Sequence, residues 1–266
     1  MSSKIKALVL TGFGLNCEKE TAKVLEKSGA VSDIMHVNDI IENKEKLNEY
    51  KILAFIGGFA FGDHISGGKV LSIKLKYKLQ DEFLKFIDKD NLIFGVCNGF
   101  QTLVKLGVLP GFKGEFGQQT ITLAGNVNPG YYDNWVRLKM NPDSPCVFTK
   151  GIDYIDVPVR HGEGQFIPLN DKIMDRLKAN NQIAAQYVHP DTNELTMEFP
   201  FNPNGSVEAI AAICDETGRI FGIMPHPEAH MYPYNHPYWV HRKIDGTLPE
   251  KGDGMKIFEN AVQYFK

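Results

Sequence analysis

A cysteine with glycine two residues away on either side, Gly95-Val96-Cys97-Asn98-Gly99, has the small-x-nucleophile-x-small spacing of a nucleophile elbow, with a thiol in place of a hydroxyl. Such a turn is sharp. A Cβ at either glycine would crowd neighbouring backbone, and the apical side chain is pushed out above the carboxyl end of a sheet. A helix starting at about Asn98 would set its positive dipole end beneath the sulfur and supply a free backbone N–H for an oxyanion. The cysteine alone is ambiguous, because a free thiol often behaves as a small buried hydrophobe. A base and an orienting carboxylate decide the matter, and Pro225-His226-Pro227-Glu228 offers both. The prolines hold the backbone extended and residues two apart face the same side, so Glu228 can orient the His226 imidazole.

His226 and His230 have the spacing of a helical zinc pair, but Pro225 and Pro227 make a regular helix through them improbable. Three further stretches concentrate glycine and polar groups. Gly57-Gly58-Phe59-Ala60-Phe61-Gly62-Asp63 follows an apolar run, and its adjacent glycines can turn N–H groups inward as the second half of an oxyanion hole, or simply make a turn. His161-Gly162-Glu163-Gly164 and Asn202-Pro203-Asn204-Gly205-Ser206 read as loops that either contact ligand or only connect strands. Thr11 to Gly14 lacks the third glycine of a phosphate loop and reads as a turn.

These groups need a scaffold. Ile5–Leu10 and Leu92–Val96 read as buried strands, and Val31–Val37 and Ile52–Ile56 as two more strands between them, alternating with helices. The helices are expected after Asn16 as cap, from an Asp39–Glu42 capping box to Tyr50, over Val70–Ile87 and from Asn98 to Gly107. Val70–Ile87 fits either period and is assigned helix because a crossover between parallel strands requires one, with Lys69, Lys74, Lys76 and Lys78 as solvated side chains. Beyond Pro110 the pieces become shorter and β-like: Thr120–Leu123, Trp135–Lys139, Ile155–Val159, Ala184–Val188, Val207–Ile213 and Arg219–Met224. Asn170–Asn180 and an Asp253-capped Asp253–Lys266 complete the helices. The expectation is an α/β fold in a single domain, 1–266. Its central sheet is mostly parallel and flanked by helices, with added short strands in the second half, and ligand binds beyond the carboxyl ends of the strands.

Composition excludes several classes. The 266 residues are 43% hydrophobic with a formal net charge of −3, which leaves no electrostatic footprint for nucleic acid or an anionic membrane. The four cysteines, at 17, 97, 146 and 214, show no close pair of zinc or redox spacing. With no apolar leader and no run long enough to span a bilayer, the expectation is a soluble protein of a reducing cytoplasm.

Taken in order, GGFAFGD (57–63), GVCNGFQ (95–101), HGEGQF (161–166), NPNGS (202–206) and MPHPE (224–228) resemble the class I, triad-type glutamine amidotransferases, and among these the glutaminase subunits of phosphoribosylformylglycinamidine synthase. The resemblance implies a flavodoxin-like three-layer fold and a triad. Cys97 attacks the side-chain carboxamide of L-glutamine, His226 carries the proton and Glu228 orients His226. Backbone N–H groups near Gly58 and Asn98 hold the oxyanion, Gln101 matches a glutamine-contacting position, and His161 matches a loop lining the same substrate-binding pocket. It also implies partners: a separate ATP-dependent synthetase subunit that uses the ammonia to amidate formylglycinamide ribonucleotide in purine synthesis, and a small bridging subunit. The glutaminase itself needs no metal or organic cofactor. Amide hydrolysis requires a nucleophile, a proton carrier and an oxyanion site, and each has a candidate.

Two rivals are weighed. GGFAFGD and HGEG favour the purine subunit over amidotransferases serving other acceptors. His226-Pro227-Glu228 argues against a non-catalytic redox sensor, which needs no proton carrier. One departure stands out: Ala229 follows the HPE where the family commonly has Arg, and an aromatic, His-rich segment runs on to Lys251. Its Tyr232–Trp239 portion is expected against the synthetase or over the pocket.

Overall fold

The computed structural model describes residues 4–112 and 116–266. The first apolar run forms β1 (Lys6–Thr11), followed by α1 (Glu18–Lys27), β2 (Val31–His36), α2 (Val37–Glu42), β3 (Ile52–Phe55), α3 (Lys69–Asp88), β4 (Leu92–Val96) and α4 (Asn98–Lys105). The second half adds β5 (Ile121–Gly125), β6 (Tyr132–Met140), β7 (Tyr154–His161), β8 (Glu163–Pro168), α5 (Asp171–Ala179), β9 (Ile183–Val188), β10 (Ile210–Cys214), β11 (Ile220–Ile223), α6 (Trp239–Ile244) and α7 (Met255–Gln263).

One nine-stranded sheet runs in the order β2-β1-β3-β4-β11-β10-β9-β6-β7, and β5 pairs with β8 in a separate two-stranded sheet. The five strands from β2 to β11 are mutually parallel. The next four join antiparallel, so that only β10 and β6 run against the rest. This is an α/β fold with a mostly parallel sheet flanked by helices. Strands β3, β4, β10 and β11 are buried at every position, as strands covered on both faces must be. Helices α1 and α7 pack against each other, as do α3 and α4. Among the described residues no helix is long and apolar enough to cross a membrane.

Val70–Ile87 is helical, with Leu71, Leu75, Leu79, Phe83 and Phe86 buried along one side. Two of its lysines are not merely solvated. Lys76 Nζ donates to the Gly117 carbonyl at 3.1 Å, and Lys74 Nζ lies 4.9 Å from the centre of the Phe13 ring.

Several predicted caps are displaced. Cys17, not Asn16, occupies the cap of α1 and makes no capping bond. His36 Nδ1 accepts from the Asn38 N–H at 3.1 Å and opens α2, so the Asp39–Glu42 box does not form. Beyond Glu42 the backbone tightens into a 3-10 turn over Lys44–Glu49. Gly254 precedes α7, because Asp253 Oδ2 is drawn away to the Asp156 N–H at 2.9 Å. Val207–Ala209 is a 3-10 turn before β10, not strand. His161-Gly162-Glu163-Gly164 is not a free loop: His161 ends β7 and Glu163 begins β8.

Candidate active site

The elbow exists and is strained. Cys97 sits between β4 and α4 at φ 51°, ψ −109°, a left-handed conformation that costs a non-glycine residue free energy and occurs mainly at functional sites. The glycines around it have no alternative. A Cβ on Gly99 would overlap the Phe55 carbonyl oxygen, and one on Gly95 would meet the Gly99 carbonyl at 3.1 Å.

Register brings His226 to Cys97. Strands β4 and β11 are parallel neighbours with Val96 opposite Ile223, so Cys97 and the Met224-Pro225-His226 turn leave the same end of the sheet side by side. The Cys97 N–H donates to the Ile223 carbonyl at 2.8 Å, and the His226 N–H to the Pro158 carbonyl of β7 at 2.8 Å. His226 Nδ1 lies 2.5 Å from Glu228 Oε1, with both side chains almost fully buried. Burial by itself would depress the imidazole. The Glu228 charge and the sulfurs of Cys17 and Cys97 outweigh it and raise His226 well above the ordinary histidine range. Nε2 is buried without a hydrogen-bond partner among the described residues, and the ring lies beside Cys17 Sγ and Cys97 Cβ around Gly57. The Cys97 Sγ itself contacts the Arg160 carbonyl at 3.8 Å.

The glycine loop closes over this group. A Cβ on Gly57 would stand 2.7 Å from His226 Cε1, 3.2 Å from Cys17 Sγ and 3.5 Å from Cys97 Cβ, so only glycine leaves room for them to converge. The loop is fixed by the turn after β1: Asn16 N–H donates to the Gly57 carbonyl at 3.1 Å and Phe59 N–H to the Gly14 carbonyl at 2.9 Å. Among the described residues no backbone acceptor takes the Gly58 N–H, and the Asn98 N–H opens α4, where no intrahelical acceptor is available. Phe59 and Tyr131, 43% and 56% exposed with ring centres 6.0 Å apart, flank this region, whereas Cys97 and His226 are only 6% and 2% exposed.

Gln101 and His161 are both buried, and their polar atoms are engaged. Gln101 Nε2 donates to the Glu163 carbonyl at 2.8 Å, while its Oε1 accepts from Asn98 Nδ2 at 3.2 Å. Glu163 Oε2 in turn accepts the Gly67 N–H at 2.8 Å. His161 lies between Asn126 Oδ1 at 3.2 Å and Asn204 Nδ2 at 3.5 Å. Burial, assisted by the nearby His226 charge, lowers its pKa to about 3 and keeps the ring neutral. Asn202-Pro203-Asn204-Gly205-Ser206 therefore packs behind His161, and Ser206 Oγ accepts the Phe166 N–H of β8 at 2.9 Å.

Cys17 is the residue that sequence reasoning passed over. Its signal was positional: it follows the turn after β1, at the sheet end where the Gly57 loop and Cys97 also emerge.

Residues 4–265 match the sequence model of the CobB/CobQ-like glutamine amidotransferase domain. The chain belongs to this glutamine amidotransferase family. It is 42% identical to the phosphoribosylformylglycinamidine synthase subunit PurQ of Methanococcus maripaludis, over 98% of this chain and 97% of that one. It is 40% identical to the protein of the same name from Dehalococcoides mccartyi, over 98% of each. Among solved structures, a chain of PurLQS from Thermotoga maritima superposes with a TM-score of 0.69 at 28% identity, covering 99% of this amidotransferase and all of that chain.

Proposed function

We propose that this chain is the glutaminase subunit of phosphoribosylformylglycinamidine synthase, a cytoplasmic enzyme of purine synthesis. The observation that carries the reading is the meeting of a strained Cys97 with the His226–Glu228 pair at the ends of adjacent strands, in a chain so close along its whole length to PurQ proteins.

The geometry supports a two-stage amide hydrolysis within one amidotransferase domain. Cys97 Sγ attacks the side-chain carbonyl carbon of L-glutamine, and the Gly58 and Asn98 N–H groups receive the oxyanion. His226 Nε2 protonates the leaving nitrogen, which departs as ammonia and leaves a glutamyl thioester. The same nitrogen then takes a proton from water, whose oxygen attacks the thioester and releases glutamate. Glu228 holds the imidazole through Nδ1 and stabilises its charged form. Gln101 and His161 build the pocket by fixing Glu163 and the Asn202–Ser206 turn. ATP is used by the synthetase subunit, which receives the ammonia and amidates formylglycinamide ribonucleotide.

Reconstitution with that synthetase tests the reading. Cys97→Ala should abolish glutamine-dependent formation of formylglycinamidine ribonucleotide while leaving ammonia-dependent formation intact. Glutamine-dependent synthesis that survives Cys97→Ala would remove the nucleophile from the mechanism.

A further inference from the structure

Hydrolysis as described makes no use of Cys17, yet its side chain is built into the wall of the site. The backbone holds it from both sides: the Asn16 N–H donates to the Gly57 carbonyl at 3.1 Å, and the Cys17 carbonyl accepts the Thr21 N–H at 3.1 Å as α1 begins. Helix α1 and the Pro227–His230 turn that carries Glu228 pack against each other. Cys17 Sγ, a ring nitrogen of His226 and a carboxylate oxygen of Glu228 all lie within 4.8 Å of one another. A Cβ on Gly57 would meet His226 Cε1 at 2.7 Å and Cys17 Sγ at 3.2 Å, so one added carbon, and by the same measure a water, has no room there. Within this enclosure one oxygen is unsatisfied. Glu228 Oε1 holds His226 Nδ1 at 2.5 Å, whereas Oε2 is buried with no hydrogen-bond partner among the described residues. A bare carboxylate oxygen costs free energy, but it leaves the negative charge undiluted by other donors and acting on the imidazole.

We propose that Cys17 is a positioning residue that keeps Glu228 Oε2 bare: its thiol fills the place a water or a hydroxyl would take, and so holds the charge of Glu228 on His226. The chemistry of the side chain suits the task. A buried thiol packs as a small hydrophobe and is a weak donor. Here it donates to Asn16 Oδ1 over a long 3.5 Å. Burial pushes the Cys17 thiol up, so it sets no second negative charge beside the first. Besides Glu228 and the two cysteines, the titratable groups coupled to the ring are His161, which burial keeps neutral, and Tyr131.

The imidazole itself reports the effect. In the full-length chain labelled with ¹⁵N-histidine, the His226 midpoint is followed by NMR in a Cys97→Ala background, so that the nucleophile does not titrate alongside. Cys17→Ser adds a strong donor at nearly constant shape and should lower that midpoint by about one unit. Cys17→Val adds none and should leave it within a few tenths, although both variants disturb packing. With Cys97 restored and the synthetase present, Cys17→Ser should lower glutamine-dependent kcat about tenfold with KM little changed. An unshifted midpoint in Cys17→Ser, or equal shifts in the two variants, overturns the proposal. A crystal structure of the unsubstituted chain gives a result that no variant's folding affects: Oε2 should have no water within hydrogen-bonding distance, and an ordered water on it overturns the proposal equally. Only the effect on kcat rests on the glutaminase reading. The midpoint and the water are observed without glutamine, so their failure removes the role of Cys17 and leaves that reading standing.

Discussion

At the scale of single residues, the grouping of Cys97 with His226 and Glu228, the proposed triad, was legible because its signals are local. Glycines two residues either side of Cys97 announce a turn that no other spacing would need, and His226 and Glu228 lie two apart. The backbone there is a 3-10 turn over Pro227–His230, not the extended run that the prolines predict, and it still brings the two side chains together. The strain at Cys97 makes the elbow intolerant. Gly99→Ala would drive a methyl group into the Phe55 carbonyl and should cost at least about 3 kcal/mol, visible as a fall in the urea midpoint or as failure to fold. Glu228→Gln preserves shape but removes the charge that holds His226 protonated towards Nδ1. It should lower glutamine-dependent kcat about a hundredfold or more and leave the ammonia-dependent reaction unchanged. Cys17 was invisible for the opposite reason: its only message is proximity, which arises when the turn after β1 bonds to the Gly57 loop.

At the scale of elements, β1, β3 and β4 were legible because strands covered on both faces write continuous hydrophobic runs, whereas β2, at the edge of the sheet, has no buried position, and the helix expected to run on to Tyr50 stops at Glu42. The second half was harder. Strand β8 begins in the HGEG stretch, where two glycines mask its period, and α6 lies in a segment dominated by aromatics and histidines. That segment is anchored, not loose: His230 Nδ1 contacts the Asp156 carbonyl at 2.6 Å, Arg242 reaches Asp156 Oδ2 at 2.9 Å, and the Trp135 ring lies edge-on against His230 and His236. Asp156 is the hub. Burial would raise its carboxyl, but the His236 hydrogen bond and the Arg137 and Arg242 guanidinium groups hold it down at about 2. A carboxyl so lowered adds stability above its unfolded pKa and loses it as the pH falls through the folded value. Asp156→Asn should therefore cost about 2 kcal/mol at neutral pH, and the gap from the parent chain should shrink to roughly half by pH 3 in urea titrations. The outer face of the segment exposes Tyr234 and Tyr238, at 59% and 64%. Replacing both with Ala should weaken binding to the synthetase about tenfold with little change in thermal midpoint, since neither ring supports the core.

At the scale of the whole molecule, the site is assembled but shut in, with Cys97 and His226 scarcely exposed behind Phe59 and Tyr131. A glutaminase that discharged ammonia without an acceptor would waste glutamine. The isolated chain should turn glutamine over slowly, and adding the synthetase with its nucleotide substrates should raise glutamate release at least about tenfold in a coupled assay. Full activity in the absence of any partner would contradict this.

The last strand of the sheet, β7, has one more consequence. Its outward backbone groups are capped one after another by the candidate site and the C-terminal segment: the Asp156 N–H by Asp253, the Pro158 carbonyl by the His226 N–H, and the Arg160 carbonyl by Cys97. An unprotected border strand is a template for another chain. Unpicking the His226 turn therefore uncovers an adhesive rim at the moment it parts His226 from Cys97, and on gentle heating the onset of turbidity should coincide with the loss of turnover.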